Sequence, residues 1–172
     1  MRTEAAEFRG VVERHQRMVF SLALRVAGEY GTAEEVAQDV FLELFRSAEK
    51  LTGEDHMRFW LRRVTVHRAT DALRRKAHRP ESAAEEWVDD AHVDGDGAAG
   101  VGPVVEARLE ELLGSLPEAM RVVVVLRYQE EMLPDEIANL LGQPVATVKS
   151  NLQRGLKLLR RKAEITMKEY VR

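Results

Sequence analysis

Lys149, Ser150, Gln153, Arg154, Lys157, Arg160 and Arg161 all fall within one short stretch, VATVKSNLQRGLKLLRRK, residues 145–162. On a helix advancing about 100° per residue, with Lys149 at zero, they lie between about 0° and 140°. Val148, Leu152, Gly155, Leu156 and Leu159 lie between about 240° and 340°. The polar face contains no acid. A merely solvated face would interleave Glu with Lys, for solubility and for pairing at four-residue spacing. An acid-free face suits a polyanion instead. Lys and Arg bind phosphates and read guanine edges, while Gln and Ser read base edges in the major groove. Cations near a helix C-terminus also complement the helix dipole. That accounts for Arg160 to Lys162 but not for Lys149 or Arg154.

A second line of suitable residues is Trp60, Arg63, His67, Thr70 and Arg74, at three- or four-residue steps on one helix. An aromatic among cations fits single-stranded or distorted DNA, because a base stacks on the ring while Arg holds the backbone. The competing reading makes Trp60 and Phe59 core residues of a small bundle. Charge is blocked in the same sense. Residues 57–79 carry eight Arg/Lys against Asp71 alone, a net +7, and residues 145–172 carry eight against Glu164 and Glu169, a net +6. Residues 81–107 carry eight acids and no Lys or Arg, a net −8. Two basic blocks separated by an acidic one predict two contacts with nucleic acid and a connector that does not join them.

Other chemistry is excluded by composition. The 172 residues include no cysteine, so no disulfide framework, zinc finger or thiol chemistry is available. The five histidines are scattered and form no His-x-x-x-His pair. With no nucleophile–base pair and no metal cluster, neither an enzyme nor a cofactor is expected. The N-terminal MRTEAAEFRG leads into no apolar signal core, and the longest aliphatic run, VVVVL at 122–126, is too short to cross a bilayer. The expectation is a cytoplasmic protein making no membrane contact by itself.

Helices must position these faces. Apolar residues recur at three- and four-residue intervals, and nothing alternates as a strand would. RVVVVLRY (121–128) has β-branched residues but no partner strand, and reads as a buried helix. Four helices are expected over residues 5–79, the first two separated near GEYG (28–31). TAEE then supplies a capping box from Thr32 and Glu35, and the helix that follows buries Val36, Val40 and Leu44. A polar loop, EKLTGEDH, leads to a helix from about Met57 to Lys76. Residues 80–103 are acidic, Gly/Ala-rich and aperiodic, and read as a flexible linker spanning roughly 25–30 Å. Helices resume near Val104. In DEIANLLGQPVATVKSNL, Ile137, Ala138 and Leu141 share a face, Gly142 ends the helix, Pro144 opens the next, and Val148 packs into the angle. This spacing is that of a helix-turn-helix, with an αα-hairpin as the alternative. Neither Met132 nor Leu133 is a good cap for its first helix. The fold expected is all-α: a four-helix N-terminal domain (1–79), the acidic linker (80–103), and a four-helix C-terminal domain with a helix-turn-helix (104–172).

In order, AEEVAQDVFLELF, FWLRRVTVHRATDALRR, an acidic linker, LGSLPEAMRVVVVLRYQEEMLPDEIANLLG and TVKSNLQRGLKLLRR resemble the extracytoplasmic-function (ECF) sigma factors over nearly the whole chain. The resemblance implies a sigma-2-like and a sigma-4-like domain that bind core RNA polymerase and direct promoter-specific initiation. Gln38, Asp39 and Phe41 match the segment that docks on the clamp helices of the polymerase largest subunit. Asp39 would sit exposed and pair with an arginine of that partner. Trp60, Arg63, His67 and Arg74 lie on the helix matching the one that opens the promoter and reads its minus-10 element. The preceding KLTGEDH loop matches the one that captures a flipped base. Lys149, Ser150, Gln153, Arg154 and Lys157 lie on the helix matching the minus-35 reader. The family also implies contact with the polymerase flap, threading of the acidic linker through the polymerase, and restraint by an anti-sigma factor. The sequence departs from the family at His67 (usually Asn), Asn151 and Leu156 (commonly Arg), and Gly155 (commonly Ala). Gly155 costs on the order of 1 kcal/mol of helix stability relative to Ala. Two other readings share some of these features: an autonomous helix-turn-helix regulator, which leaves residues 34–44 unexplained, and a helical anti-sigma-like adaptor whose basic stripes meet acidic proteins.

Overall fold

The computed structural model describes residues 2–47, 50–79 and 102–170. Among them are seven helices and no strand: α1 (Arg2–Ala27), α2 (Tyr30–Ser47), α3 (Glu54–Ala77), α4 (Pro103–Gly114), α5 (Glu118–Tyr128), α6 (Pro134–Leu141) and α7 (Val145–Tyr170). The first three form one antiparallel bundle. α1 turns inward His15, Val19, Leu22, Ala23 and Val26; α2 turns inward Ala33, Val36, Val40 and Leu44; α3 contributes Leu61, Val66 and Ala69. Each set follows the three- and four-residue steps of one helical face. Fully burying each Val or Leu stabilises the bundle by about 1.5–3 kcal/mol.

Three helices, not four, fill the first half. Residues 2–27 run as one uninterrupted helix of 26 residues, because its apolar stripe continues without a break from Phe8 to Val26. The interruption falls at Gly28, whose φ of 79° ends α1. Thr32 is not the cap of α2 either. The helix opens at Tyr30, with Ala33 donating to the Glu29 carbonyl. The Glu29 carboxylate instead accepts from Lys76, which chiefly lowers its pKa, and from Thr32, which adds to the effect. α3 likewise begins three residues before Met57: Gly53, at φ 84°, frees the chain to turn, and Glu54 and Asp55 suit the positive end of the helix. Part of the KLTGEDH segment is therefore helical.

The second half has its four helices. RVVVVLRY is the buried helix expected: Arg121 to Leu126 are all buried, so α5 is surrounded on every side. α6 and α7 form the helix-turn-helix. Gly142 adopts φ 64°, ψ 37°, donating to Asn139 while Gln143 donates to Ala138, which closes α6 with a left-handed cap. Val148 is fully buried in the angle, beside Ile137 and Ala138; Leu140 is also buried and Leu141 only partly so. The poor cap at Leu133 is compensated from three residues on, where the Glu136 carboxylate accepts the Leu133 N–H at 2.7 Å. Residues 80–101, which hold most of the acidic linker, lie outside the described residues; Gly102 and Pro103 open α4.

Candidate nucleic-acid interface

The acid-free face of α7 stands outward from the helix-turn-helix. Lys149, Gln153, Arg154 and Lys157 are exposed, and Ser150 is half-buried. The Arg154 guanidinium donates to the Ser150 hydroxyl at 2.7 Å, so one turn of the helix presents the two as a unit. On the opposite side, Val148, Leu152 and Gly155 are buried against α5 and α6. Gly155 sits at the crossing with α5, where an added Cβ would stand 3.0 Å from Val124 Cγ2 and 3.4 Å from Met120 Cβ. Leu156, beside it, is half-buried. The spacing of the recognition helix from α5 thus depends on a missing side chain.

The stripe on α3 is divided. Arg63, His67 and Arg74 are exposed, Thr70 is buried, and Trp60 and Phe59 are half-buried against the core. Trp60 is thus packed against the core in part and exposed in part. Arg74 is not free, since its guanidinium pairs with Glu118 of α5 at 2.8 Å. Arg62 pairs with Glu130 at 2.8 Å. At the head of α3, the carboxylate of Glu54 meets Arg14 at 3.1 Å and the His15 imidazole at 2.9 Å. Burial lowers the pKa of His15, against the opposing field of Glu54.

A third surface lies between α1 and α2. It is an open groove of about 810 Å³ lined by Phe8, Val12, Phe20, Tyr30, Phe41 and Phe45, among others, with Gln38 at its edge. Phe8 meets Phe45 edge-on at 5.1 Å, and Phe20 meets Tyr30 in the same way at 5.1 Å. Of the three α2 residues singled out by sequence, Gln38 and Phe41 line this groove. Asp39 is exposed but turns toward α3, 3.6 Å from Arg68, which Glu43 also engages. The groove's other aromatics escaped the sequence reading. The signal was there: residues 30, 34, 37, 41 and 45 form a second stripe on α2, beside the inward one.

Among the described residues no helix is long and apolar enough to cross a membrane, and no cluster of His, Asp or Glu has the form of a metal site.

Comparison with known proteins assigns these surfaces a context. The model of sigma-70 region 2 matches residues 11–79, and that of sigma-70 region 4 matches residues 106–159. The chain belongs to the sigma-70 family, in its ECF branch. This sigma factor is 26% identical over 165 residues to ECF RNA polymerase sigma factor SigW of Bacillus subtilis, covering 90% of the chain and 87% of the relative. It is 28% identical over 166 residues to the ECF RNA polymerase sigma-E factor of Escherichia coli, covering 91% and 86%. The sigma factor RpoE of Bartonella quintana, solved with the anti-sigma factor NepR, shares its fold at a TM-score of 0.73 and 13% identity, over 92% of this chain and 98% of that one. CnrH, solved with the cytosolic domain of CnrY, does so at 0.64 and 22%, over 92% and 88%. As a sigma factor the protein binds core RNA polymerase and promoter DNA and directs initiation at promoters.

Proposed function

We propose that the work of this sigma factor is divided among three surfaces. The α1–α2 groove, with Gln38 and Phe41, is the contact with the polymerase clamp helices. Trp60, Arg63, His67 and Arg74 of α3 meet the opened minus-10 element. Lys149, Ser150, Gln153, Arg154 and Lys157 of α7 read the minus-35 element in the major groove. Residues 1–79 and 104–172 act as the two domains, with 80–103 as the connector. Asp39, in contact range of Arg68 within its own chain, acts by fixing α2 against α3 as well as by meeting the polymerase. The protein is an initiation factor rather than an enzyme, works in the cytoplasm, and is restrained by an anti-sigma partner. The sigma factor RpoE of Bartonella quintana, solved with the anti-sigma factor NepR, supports that last point.

The observation that carries the reading is the acid-free exposed face of α7 on a helix-turn-helix whose partner half presents an apolar groove. A regulator acting alone has no use for the groove. The test is transcription from a promoter library by core polymerase with and without this protein. Specific transcripts are expected, lost on Phe41→Ala by weakened polymerase binding and on Arg154→Ala by weakened promoter binding. Absence of any transcript above core polymerase alone refutes the reading.

A further inference from the structure

Polar side chains from other elements end on α1 in two different ways. From α5, the Arg121 guanidinium, 7% exposed, donates to the Val26 carbonyl at 2.9 Å as well as to Gly114 and Leu116. Just past α5, Gln129 donates to the Ser21 hydroxyl at 3.1 Å. Both meet neutral oxygens, and neither depends on the state of a proton near pH 7. The tie at the head of α3 is of another kind. Glu54 grips two successive α1 residues, Arg14 at 3.1 Å and His15 at 2.9 Å. His15 is 3% exposed, and among the described residues its Nε2 has no aligned hydrogen-bond partner, close as the carboxylate is. Burial chiefly, then Arg58 and Arg14, disfavours a charged ring there, and Glu54 favours it. The turn that Glu54 closes is otherwise lightly held. Gly53 has φ 84° and no Cβ, and Leu51 is only partly buried against the core. The Thr52 N–H reaches Nδ1 of the exposed His56 at a long 3.4 Å.

We propose that His15 is a positioning residue for minus-10 recognition: uncharged, it seats Glu54 and so holds the turn at residues 51–53 in place, and once protonated it drives that turn off the bundle. The proposal rests on the reading of α3 and the turn before it as the minus-10 surface. A buried imidazolium lacks water and here faces two guanidinium groups against one carboxylate. The ring regains water only when Glu54 and the head of α3 lift from α1. The exposed Arg63 and His67 stay behind, since the buried Leu61 and Val66 anchor their turns of the helix. Protonation therefore separates two parts of one DNA surface without unfolding the bundle.

The test is binding of a single-stranded minus-10 oligonucleotide, from a promoter recovered in the transcription library, by holoenzyme carrying the wild type or His15→Gln. Gln keeps a neutral donor of similar reach. One proton changes an equilibrium by at most about tenfold per pH unit. Between about pH 7.5 and about pH 5.5 the wild type is expected to lose about fivefold more affinity than His15→Gln. Whatever His56 and the polymerase add is common to both proteins and cancels. Glu54 has 42% of its side chain exposed, so Glu54→Gln leaves the core intact. It is expected to weaken binding about threefold at neutral pH. A duplex carrying only the minus-35 element is expected to give one pH profile with both proteins. Equal profiles on the minus-10 strand, the same His15-dependent loss on the minus-35 duplex, or no effect of Glu54→Gln would each overturn the proposal alone. Holoenzyme that binds no minus-10 strand at any pH overturns it together with the minus-10 reading.

Discussion

Gly155→Ala separates two predictions of opposite sign. Helix propensity favours the change by about 1 kcal/mol, since glycine is the costlier residue inside a helix. Packing opposes it, because the new methyl would lie 3.0 Å from Val124 Cγ2, 3.4 Å from Met120 Cβ and 3.6 Å from the Met120 carbonyl. Val124 has little room to yield: it is buried between Val123 and Val125, and a β-branched side chain in a helix has essentially one rotamer. Overfilling a packed site of this kind costs about 1–3 kcal/mol, so the net expectation is a loss of about 0–2 kcal/mol. Urea unfolding followed by far-UV circular dichroism measures it. The decisive comparison is a double-mutant cycle with Val124→Ala, which removes the obstructing methyls. In that background Gly155→Ala is expected to stabilise by about 1 kcal/mol, giving a coupling of about 1–3 kcal/mol between the sites. A gain of about 1 kcal/mol in both backgrounds would mean that propensity alone governs position 155 and that the close crossing has no energetic weight.

Acidification should act through His15. Its folded pKa lies below the ordinary 6.5 because burial disfavours the cation, with Arg58 and Arg14 acting in the same sense and Glu54 against them. Its contribution to stability is therefore fully present above 6.5 and declines as pH falls below it. In thermal melts, His15→Gln should flatten that decline. Lys149→Ala or Arg154→Ala should each weaken binding to the preferred upstream duplex by about 1–3 kcal/mol and relax its sequence preference. Arg160→Ala should instead weaken all duplexes alike and reduce the salt slope by about 1, as titrations at several salt concentrations would reveal. Gly142→Ala forces a Cβ into a left-handed turn and should cost about 1–2 kcal/mol in urea unfolding; no loss there would contradict the cap.

The helix-turn-helix was legible because its constraints are local. A left-handed cap at Gly142, a proline after it and an inward Val148 leave few other arrangements, and the lack of any partner strand for RVVVVLRY in a helical chain assigned α5 as buried helix. Helix ends were less legible. Thr32 looked like a cap because its pattern is correct, yet Glu29, tied to Lys76 across the bundle, took that place. The break expected near GEYG does fall there, at Gly28, but the count of four helices over residues 5–79 was one too many, because the inward stripes of α1, α2 and α3 each run unbroken. Asp39 illustrates a different limit. Its exposure followed from the α2 pattern, but its neighbour Arg68 lies on another helix, and sequence spacing carries no information about which charges meet across elements. The ties of Arg121, Gln129 and Glu130 to the first half span long loops and were invisible for the same reason. For Gly155 the sequence supplied a departure from expectation, and the α5 crossing supplied its cause.

The open C-terminal carbonyl of Val26 has a consequence for the order in which the protein is made. The α1–α2–α3 bundle is complete in sequence by Ala77, with its own core, so it is able to fold while the rest of the chain is still being synthesised. The end of α1 then presents a waiting acceptor, as every helix end does. When Arg121 emerges, its guanidinium meets a finished surface rather than another folding segment. The second half is thereby assembled on a template laid down earlier, and its most expensive buried charge is matched to a partner that is already in place.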